Sequence, residues 1–534
     1  MKEPAARELS LDILLSVTSG QTYSHIALRD VLDKYAYFEK AKRSMIKRLV
    51  EGVLENMLLL DEIIGQFSSV PVKKQKNVIR NILRMAVYEI FYMDAIPPHA
   101  SVNEAVRLAE RRGFRNLKGF VNGVLRTILR EKEQIVLPDS LSIRYSMPAW
   151  IVDRWTKAFG KEKTESILKS FFGSAPLAVH LTKQPSQAKL QQALSSAVAA
   201  WQTEGNVLTR RETESDVLTR WETESDVLTR WEAEGIKASP VSGIPDAFFL
   251  SGVERLSAMQ TFREGLFFVQ DVSSMRALSE IPMQAGREEL SGDPVQAGRE
   301  ELSGGPVHPG REELSGDPVH PGREELSGGP VQAGREELSG GPVHPGLEEL
   351  SGHPARQDME VLDLCGAPGG KSLYLASRIG DGGTITCRDL SENKVALIRD
   401  NIARCRFTNI HAEAADARLF DPAWESRADL VIADLPCSGL GVLGRKPEIR
   451  YRITPQEIND LAALQREILS TAQRYVKPGG LLFYSTCTIT HEENEDNASW
   501  FCDTFPTFRK LKECQLFPEA GLQDGFYYMI AQRC

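Results

Sequence analysis

The sequence has no cysteine before Cys365, and all eight of its cysteines lie at or after that position. No two of them have the C-x-x-C spacing that is typical of structural zinc sites, so we expect no bound metal. Thiols in a chain without an export signal are usually reduced, which predicts a cytoplasmic protein. A cysteine with a chemical role is therefore expected to be a nucleophile.

The sequence also lacks a long hydrophobic run, because no apolar stretch approaches the roughly 18 residues that cross a lipid bilayer. The N-terminus, M-K-E-P-A-A-R-E-L-S, mixes acids with bases and has the pattern of neither a signal peptide nor a transit peptide. A composition of 42% hydrophobic and 26% charged residues over 534 residues indicates a soluble globular chain. This length predicts roughly two to four domains.

The formal net charge of −9 comes from a single tract. Residues 284–355 hold 5 arginines and 14 acids, and the remainder of the chain is neutral overall. The first 135 residues carry 22 lysines and arginines against 16 acids. This basic excess is compatible with a polyanionic partner, although an ordinary solvated helical surface explains it equally well.

Residues 1–138 are expected to form a compact helical bundle. Hydrophobic residues at three- and four-residue intervals predict one helix over Ala41–Ile64 and another over Asn77–Tyr92. Ser101, with Glu104 three residues later, predicts the N-cap of a further helix.

Two repeat tracts interrupt the chain. A ten-residue repeat near 207–235, V-L-T-R-W-E-T-E-S-D and variants, could extend a helix that ends at Gly235. A twelve-residue repeat over 284–355, Q-A-G-R-E-E-L-S-G-D-P-V and variants, offers too few apolar residues to offset its ordering entropy. Neither tract is typical of packed protein, and the longer one is predicted to be disordered.

Residues 356–534 alternate apolar strands with helices, which predicts a mostly parallel, Rossmann-like α/β sheet. The predicted strands are Met359–Leu364, Thr384–Cys387, Leu430–Ala433 and Leu481–Ser485. In such sheets a cofactor binds beyond the carboxyl ends of the strands.

The turn after the first of these strands, D-L-C-G-A-P-G-G-K-S, admits more than one nucleotide ligand. Its G-K-S ending and the acidic strand L-V-I-A-D favour an ATPase. Cys365 stands where a phosphate-binding loop has its first glycine, and Pro368 lacks an N–H donor for phosphate. The glycine spacing also differs from the G-x-G-x-x-G of a dinucleotide site.

S-adenosylmethionine (SAM) is the third candidate ligand, since it has no phosphate and needs only a tight glycine turn. Asp389 follows the second predicted strand and could accept from ribose hydroxyls. Asp416 follows a third strand and could accept from the adenine amine. The turn together with these acids is more specific than the turn alone.

Two cysteines follow strands at the same predicted edge of the sheet. Cys437 lies in D-L-P-C-S-G, and Cys487 lies in Y-S-T-C-T. A thiolate that adds to carbon 6 of a pyrimidine makes carbon 5 nucleophilic toward a methyl sulfonium, and a second group must then help to release the product. The other candidates are better explained as small hydrophobic residues: Cys387, Cys405, Cys502 and Cys514.

Through these motifs the chain resembles the RsmB (Sun) family of bacterial ribosomal RNA cytosine-5 methyltransferases, over nearly its whole length outside the two tracts. Residues 1–138, with P-P-H-A-S-V-N-E-A-V and F-V-N-G-V-L-R, resemble the family's NusB-like RNA-binding domain. Residues 139–283 would be a linking or RNA-binding subdomain, which ends in the entry motif F-F-V-Q-D-V-S-S. Residues 356–534 would be the SAM-dependent methyltransferase domain, whose final strand is D-G-F-Y-Y-M-I-A-Q-R.

The resemblance implies a role for individual residues. Cys487 would be the nucleophile, Cys437 would assist product release, and the basic loop Gly444–Arg452 would hold RNA phosphate. The residues implied to contact SAM are Cys365, Gly366, Ala367, Pro368, Gly369, Gly370, Lys371, Asp389, Asp416 and Asp434. The substrate would be one cytidine of small-subunit (16S) ribosomal RNA, and we expect a monomer without a membrane partner. The alternatives are a non-catalytic RNA-binding adaptor, a transfer RNA methyltransferase and an ATPase.

Overall fold

The computed structural model describes residues 4–173, 176–182, 224–283, 359–380 and 383–534. No helix within these ranges has both the length and the apolar composition that crossing a membrane requires. The twelve-residue repeats and most of the first two ten-residue repeats lie outside the described residues. The predicted disorder of the longer tract therefore stays a prediction.

Helices form the N-terminal part of the chain and share one aliphatic core. In the described residues they are α1 (Ala6–Thr18), α2 (Ser24–Lys34), α3 (Lys40–Glu55), α4 (Met57–Phe67), α5 (Asn77–Tyr92), α6 (Pro98–Arg111) and α7 (Lys118–Arg130). Every residue of α5 from Asn81 to Ile90 is buried, so α5 lies at the centre of the bundle. The predicted helical bundle is confirmed.

Two details of that prediction are wrong. The apolar stripe over residues 41–64 belongs to two helices, because the backbone leaves the helical conformation at Asn56, whose side-chain amide donates to the Gly52 carbonyl at 2.8 Å. Ser101 caps no helix, since α6 begins at Pro98 and buries Ser101 inside it. Proline suits the first helical position, where its fixed φ is helical and its missing N–H is not needed.

A small antiparallel sheet and short helices follow the bundle. The helices are α8 (Leu141–Arg144), α9 (Ala149–Phe159), α10 (Lys161–Ser170), α11 (Glu224–Ala233), α12 (Gln260–Arg263) and α13 (Val272–Ser279). The strands are β1 (Leu177–Leu181), β2 (Lys237–Pro240), β3 (Ala247–Ser251) and β4 (Phe267–Val269), in the order β2-β3-β1-β4.

The last copy of the ten-residue repeat is packed against this sheet, contrary to the sequence-based expectation for the tract. Trp231 on α11 has no exposed surface, and its ring meets those of Phe248 and Phe267 edge-on at centroid distances of 5.7 and 5.3 Å. A buried indole removes a large apolar area from water. Tertiary contacts therefore order a segment whose repeat period favours no regular packing.

The C-terminal sheet has the predicted Rossmann-like architecture. Its strands are β5 (Met359–Asp363), β6 (Gly383–Asp389), β7 (Ile410–Ala414), β8 (Ala428–Asp434), β9 (Val476–Thr486), β10 (Phe508–Leu516) and β11 (Phe526–Arg533). The accompanying helices are α14 (Gly370–Ile379), α15 (Glu392–Cys405), α16 (Pro455–Tyr475) and α17 (Glu495–Thr504).

Among the described residues the strand order of this sheet is β10-β11-β9-β8-β5-β6-β7, and β5 to β9 run parallel. The chain leaves β5 toward β6 on one side and returns to β8 on the other. This reversal of strand order opens a crevice beyond the carboxyl ends of β5 and β8. The glycine-rich turn and both cysteine-containing turns begin at this edge.

Candidate active site

The glycine-rich turn links β5 to α14. The Gly366 N–H donates to the Arg388 carbonyl at 2.8 Å, which holds the turn against the end of β6. A Cβ atom at Gly366 would lie 2.3 Å from the Cys387 sulfur, so no side chain fits there. Gly369 has a φ of +105°, in the left-handed region that favours glycine, and Gly370 begins α14. The turn therefore exposes its backbone to a ligand at close range.

Two buried carboxylates lie at strand ends beside this turn. Asp363 Oδ2 accepts from the Ser372 hydroxyl at 2.7 Å, while Oδ1 has no hydrogen-bond partner among the described residues. Burial raises the pKa of Asp363 to about 6. Asp389, at the end of β6, accepts from the Ala367 N–H at 3.2 Å and from the Leu390 N–H at 2.7 Å. Asp389 is thereby fixed against the turn.

Asp416 follows β7, as the sequence suggested, but its carboxylate is already engaged. The Arg418 guanidinium lies 2.6 Å from it, and hydrogen bonds from Arg418 hold the pKa of Asp416 below its usual value. In the turn itself, burial raises the pKa of the partly exposed Cys365. The Pro368 carbonyl accepts from the Asn401 side chain at 2.9 Å.

A lysine and an aspartate face each other between α14 and β8. Lys371 Nζ lies 2.6 Å from Asp434 Oδ2, and the Ser485 hydroxyl donates to Asp434 Oδ1 at 2.8 Å. Burial disfavours the ammonium, but the Asp434 carboxylate outweighs burial and raises the pKa of Lys371. The Lys371 ammonium also lies 5.3 Å from the centre of the Phe526 ring. The Lys371 ammonium is thus held by a carboxylate at the end of β8.

Cys437 and Cys487 lie side by side. Cys437 follows β8, Cys487 follows β9, and their sulfur atoms are 3.3 Å apart. Both side chains are partly exposed, whereas Cys387 and Cys405 are buried. Because neighbouring parallel strands end at the same edge, their following turns bring the two thiols to the crevice.

One thiol of this pair ionises more readily than the other. The hydrogen bond from Cys437 lowers the pKa of Cys487; burial opposes this shift, and the charges of Lys446 and Lys371 favour it. The same hydrogen bond raises the pKa of Cys437. Cys487 therefore ionises at a lower pH than Cys437, and a thiolate at Cys487 would accept a hydrogen bond from the Cys437 thiol.

Removing the donor should shift the ionisation of Cys487. We expect Cys437→Ala to raise the Cys487 pKa, so that alkylation by iodoacetamide begins at a higher pH than in the wild type. Cys437→Ser keeps an O–H donor and should lie closer to the wild type. Mass spectrometry of the peptide that contains Cys487, after alkylation between pH 6 and about 10, measures the midpoint. An unchanged midpoint in Cys437→Ala would contradict this assignment.

Two buried residues that the sequence analysis missed hold the cysteine turns. Glu493 accepts from the Ser438 N–H at 2.8 Å, from the Ser438 hydroxyl at 2.5 Å and from the Thr490 hydroxyl at 2.6 Å. Asn494 accepts from the Thr486 hydroxyl at 2.6 Å. Ser438 and Thr486 adjoin the two cysteines in sequence. In H-E-E-N a glutamate looks like an ordinary helix-start acid, so no local signal marked it.

Three arginines of the basic loop Gly444–Arg452 are engaged by protein groups, so the predicted contact of this loop with RNA phosphate stays a prediction that falls to its lysine, Lys446. Arg450 is 1% exposed, and Arg445 forms ion pairs with two carboxylates. Arg452 donates to the Val17 carbonyl of α1 at 2.7 Å. These three guanidinium groups stabilise the contact between the loop and its neighbours, so they are not available to phosphate.

Sequence and structure comparisons agree along the chain. Residues 352–531 match the family described as 16S rRNA methyltransferase RsmB/F, and residues 4–130 match the NusB family. A probable ribosomal RNA small subunit methyltransferase B of Bacillus subtilis is 28% identical over 99% of this chain and 98% of its own length. The ribosomal RNA small subunit methyltransferase B of Escherichia coli K12 is 24% identical, over 96% and 94%. The crystal structure of PH0851 shares the fold, with a TM-score of 0.68, 20% identity and full coverage of both chains.

Proposed function

Because residues 352–531 belong to the 16S rRNA methyltransferase RsmB/F family and residues 4–130 to the NusB family, we propose that this protein methylates carbon 5 of a cytidine in 16S ribosomal RNA. The observation that carries the proposal is the 3.3 Å separation of the Cys437 and Cys487 sulfur atoms, with the pKa of Cys487 lowered by its hydrogen bond with Cys437. Carbon 5 of a pyrimidine is a weak nucleophile until a thiolate adds to carbon 6. Methylation of an exocyclic amine needs no such pair.

The methyl donor is S-adenosylmethionine, and the residues after β5 and β6 fit it. It has no phosphate, and the proline in the turn supplies no N–H for one. The unpartnered Oδ1 of Asp363 is an acceptor for its ammonium group, and Asp389 is an acceptor for its ribose hydroxyls. When bound, it supplies an electrophilic methyl group. The residues proposed to contact it are therefore Asp363 and those that the sequence implied: Cys365, Gly366, Ala367, Pro368, Gly369, Gly370, Lys371, Asp389, Asp416 and Asp434.

The first chemical role belongs to Cys487. Its thiolate adds to carbon 6 of the cytosine, a carbon–sulfur bond forms, and the electrons of the 5,6 double bond make carbon 5 nucleophilic. Lys371 and Lys446 favour the thiolate from which this step starts. Asp434 is held by Lys371 and Ser485 at the same edge of the sheet, and its proposed additional role is to face the target base.

Release of the methylated base falls to Cys437. Before addition, its hydrogen bond to the Cys487 thiolate keeps the proton on Cys437. In the adduct Cys487 is a neutral thioether, so this interaction no longer raises the pKa of Cys437. Cys437 gives its proton to water and then takes the proton from carbon 5. The electrons of that C–H bond restore the double bond, and Cys487 leaves as a thiolate.

Transfer of labelled methyl groups to 16S ribosomal RNA fragments tests the proposal. After digestion to nucleosides, the label should be in 5-methylcytidine, and transfer RNA should accept far less. Label in a cytidine methylated on its exocyclic nitrogen would contradict the chemistry. RNA binding without transfer would favour the adaptor. A thermal shift with magnesium and ATP, but none with SAM, would favour the ATPase.

A further inference from the structure

Helix α2 of the N-terminal bundle contacts the catalytic part of the chain directly. Ser24, the first residue of α2, donates its N–H and its hydroxyl to the two carboxylate oxygens of Glu448, each at 2.8 Å. Ser24 and Glu448 are each 2% exposed. Glu448 lies in the turn Pro447–Tyr451, which follows Cys437 along the chain. A two-point contact to a buried carboxylate fixes α2 against this turn.

Two aromatic rings flank the contact and face solvent. Tyr23 and His25 adjoin Ser24, and their ring centroids are 6.0 Å apart. Tyr23 is 43% exposed, and the Arg452 guanidinium lies 4.8 Å from its ring centre. Burial lowers the pKa of His25, and the charge of Lys446 lowers it further. At neutral pH the imidazole is therefore uncharged and suited to stacking.

Lys446 lies in the loop between the Cys437 turn and Glu448, where its N–H donates to the Val442 carbonyl at 3.0 Å. It precedes Glu448 by two residues, and its charge acts on both His25 and Cys487. Unlike the arginines of the same loop, its side chain makes no hydrogen bond or ion pair with the described part of the chain. Lys446 is also partly exposed. Its ammonium is thus available to an anion beside the active site.

We propose that Tyr23, His25 and Lys446 form one RNA-binding surface, which receives the single-stranded segment next to the target cytidine. The inference rests on the proposed function, since it takes RNA as the substrate. Unpaired bases stack on exposed aromatic rings, and a lysine neutralises a backbone phosphate. The segment that carries Lys446 is tied to the Cys487 turn, because the Gly441 N–H donates to the Cys487 carbonyl at 3.1 Å. The Ser24–Glu448 contact holds α2 against the same segment, so a strand that leaves the active site passes onto α2.

Substitutions of Tyr23 and His25 should weaken RNA binding only when they remove the aromatic ring. Tyr23→Ala and His25→Ala are each expected to weaken binding about tenfold through lost stacking. Tyr23→Phe and His25→Phe keep a ring and should bind like the wild type. Lys446→Gln should lower the salt dependence of log Kd by about 0.7 for a single strand. Fluorescence anisotropy with the full-length protein and the 16S ribosomal RNA fragment that the wild type binds most tightly measures Kd.

Tyr37 provides a matched control on the same domain. It follows the other end of α2, is 72% exposed and has its ring 5.1 Å from that of Phe38. Tyr37→Ala should bind RNA like the wild type. Wild-type affinity in Tyr23→Ala and His25→Ala, or an equal loss in the phenylalanine variants or in Tyr37→Ala, would overturn the proposal. If loss of the rings weakens RNA binding but the wild type transfers no methyl group, the proposed function fails and the RNA-binding surface stands. If the wild type methylates RNA but loss of the rings leaves the affinity unchanged, the RNA-binding surface fails and the proposed function stands.

Discussion

Cys487→Ala should abolish methyl transfer to 16S ribosomal RNA while RNA binding persists. Without the thiolate, no bond to carbon 6 forms and carbon 5 stays a weak nucleophile, so the rate should fall by roughly a thousandfold or more. Because the Cys487 side chain is partly exposed and follows the last residue of β9, the alanine variant should fold like the wild type. Incorporation of labelled methyl groups measures the loss, and anisotropy measures retained binding.

Cys502→Ala is the control for this loss. Cys502 is also a partly exposed cysteine, but it lies on α17 rather than at the crevice. It should keep wild-type activity. Methylation by Cys487→Ala at a rate near that of the wild type would show that the reaction proceeds without this thiol.

Cys437→Ala is expected to accumulate RNA bound covalently to the protein. Addition through Cys487 survives, whereas removal of the carbon 5 proton loses its base, so the adduct persists after methyl transfer. Because the donor to Cys487 is also lost, addition should be faster at pH values above neutral than at neutral pH. A denaturing gel with labelled RNA should show a band that migrates with the protein.

The double variant Cys437→Ala with Cys487→Ala controls for adventitious crosslinking, and it should trap no RNA. If the single variant Cys487→Ala trapped RNA and Cys437→Ala did not, the two roles would be reversed. This comparison is necessary because the two sulfur atoms are only 3.3 Å apart, so a base within reach of one thiol is also close to the other.

The sheet and the meeting of the two cysteine turns could be predicted because they depend on local patterns. Short apolar strands between helices specify a parallel sheet, and parallel strands place their following turns at one edge. The predicted strand over Leu430–Ala433 lies within β8, and that over Leu481–Ser485 lies within β9. The roles of Cys437 and Cys487 remain proposals that the experiments above test.

Features that depend on distant partners could not be predicted from local patterns. The arginines of Gly444–Arg452 look like an RNA-binding loop in sequence, yet Arg450 is buried and Arg452 bonds to α1. Trp231 lies in a repeat of low complexity, but two phenylalanines from separate strands enclose it. Glu493 holds the turn after β8 from 55 residues away along the chain. In each case a contact remote in sequence determines the role of the residue.

The most direct test of the account uses a 16S ribosomal RNA fragment in which 5-fluorocytidine replaces cytidine. Fluorine at carbon 5 cannot be removed as a proton is, so the wild-type protein with SAM should remain bonded to the RNA after methyl transfer. Protease and nuclease digestion followed by mass spectrometry should find the methylated fluorocytidine on the peptide that contains Cys487. A nucleotide attached to Cys437, or no attachment despite methyl transfer to the unmodified fragment, would contradict the mechanism.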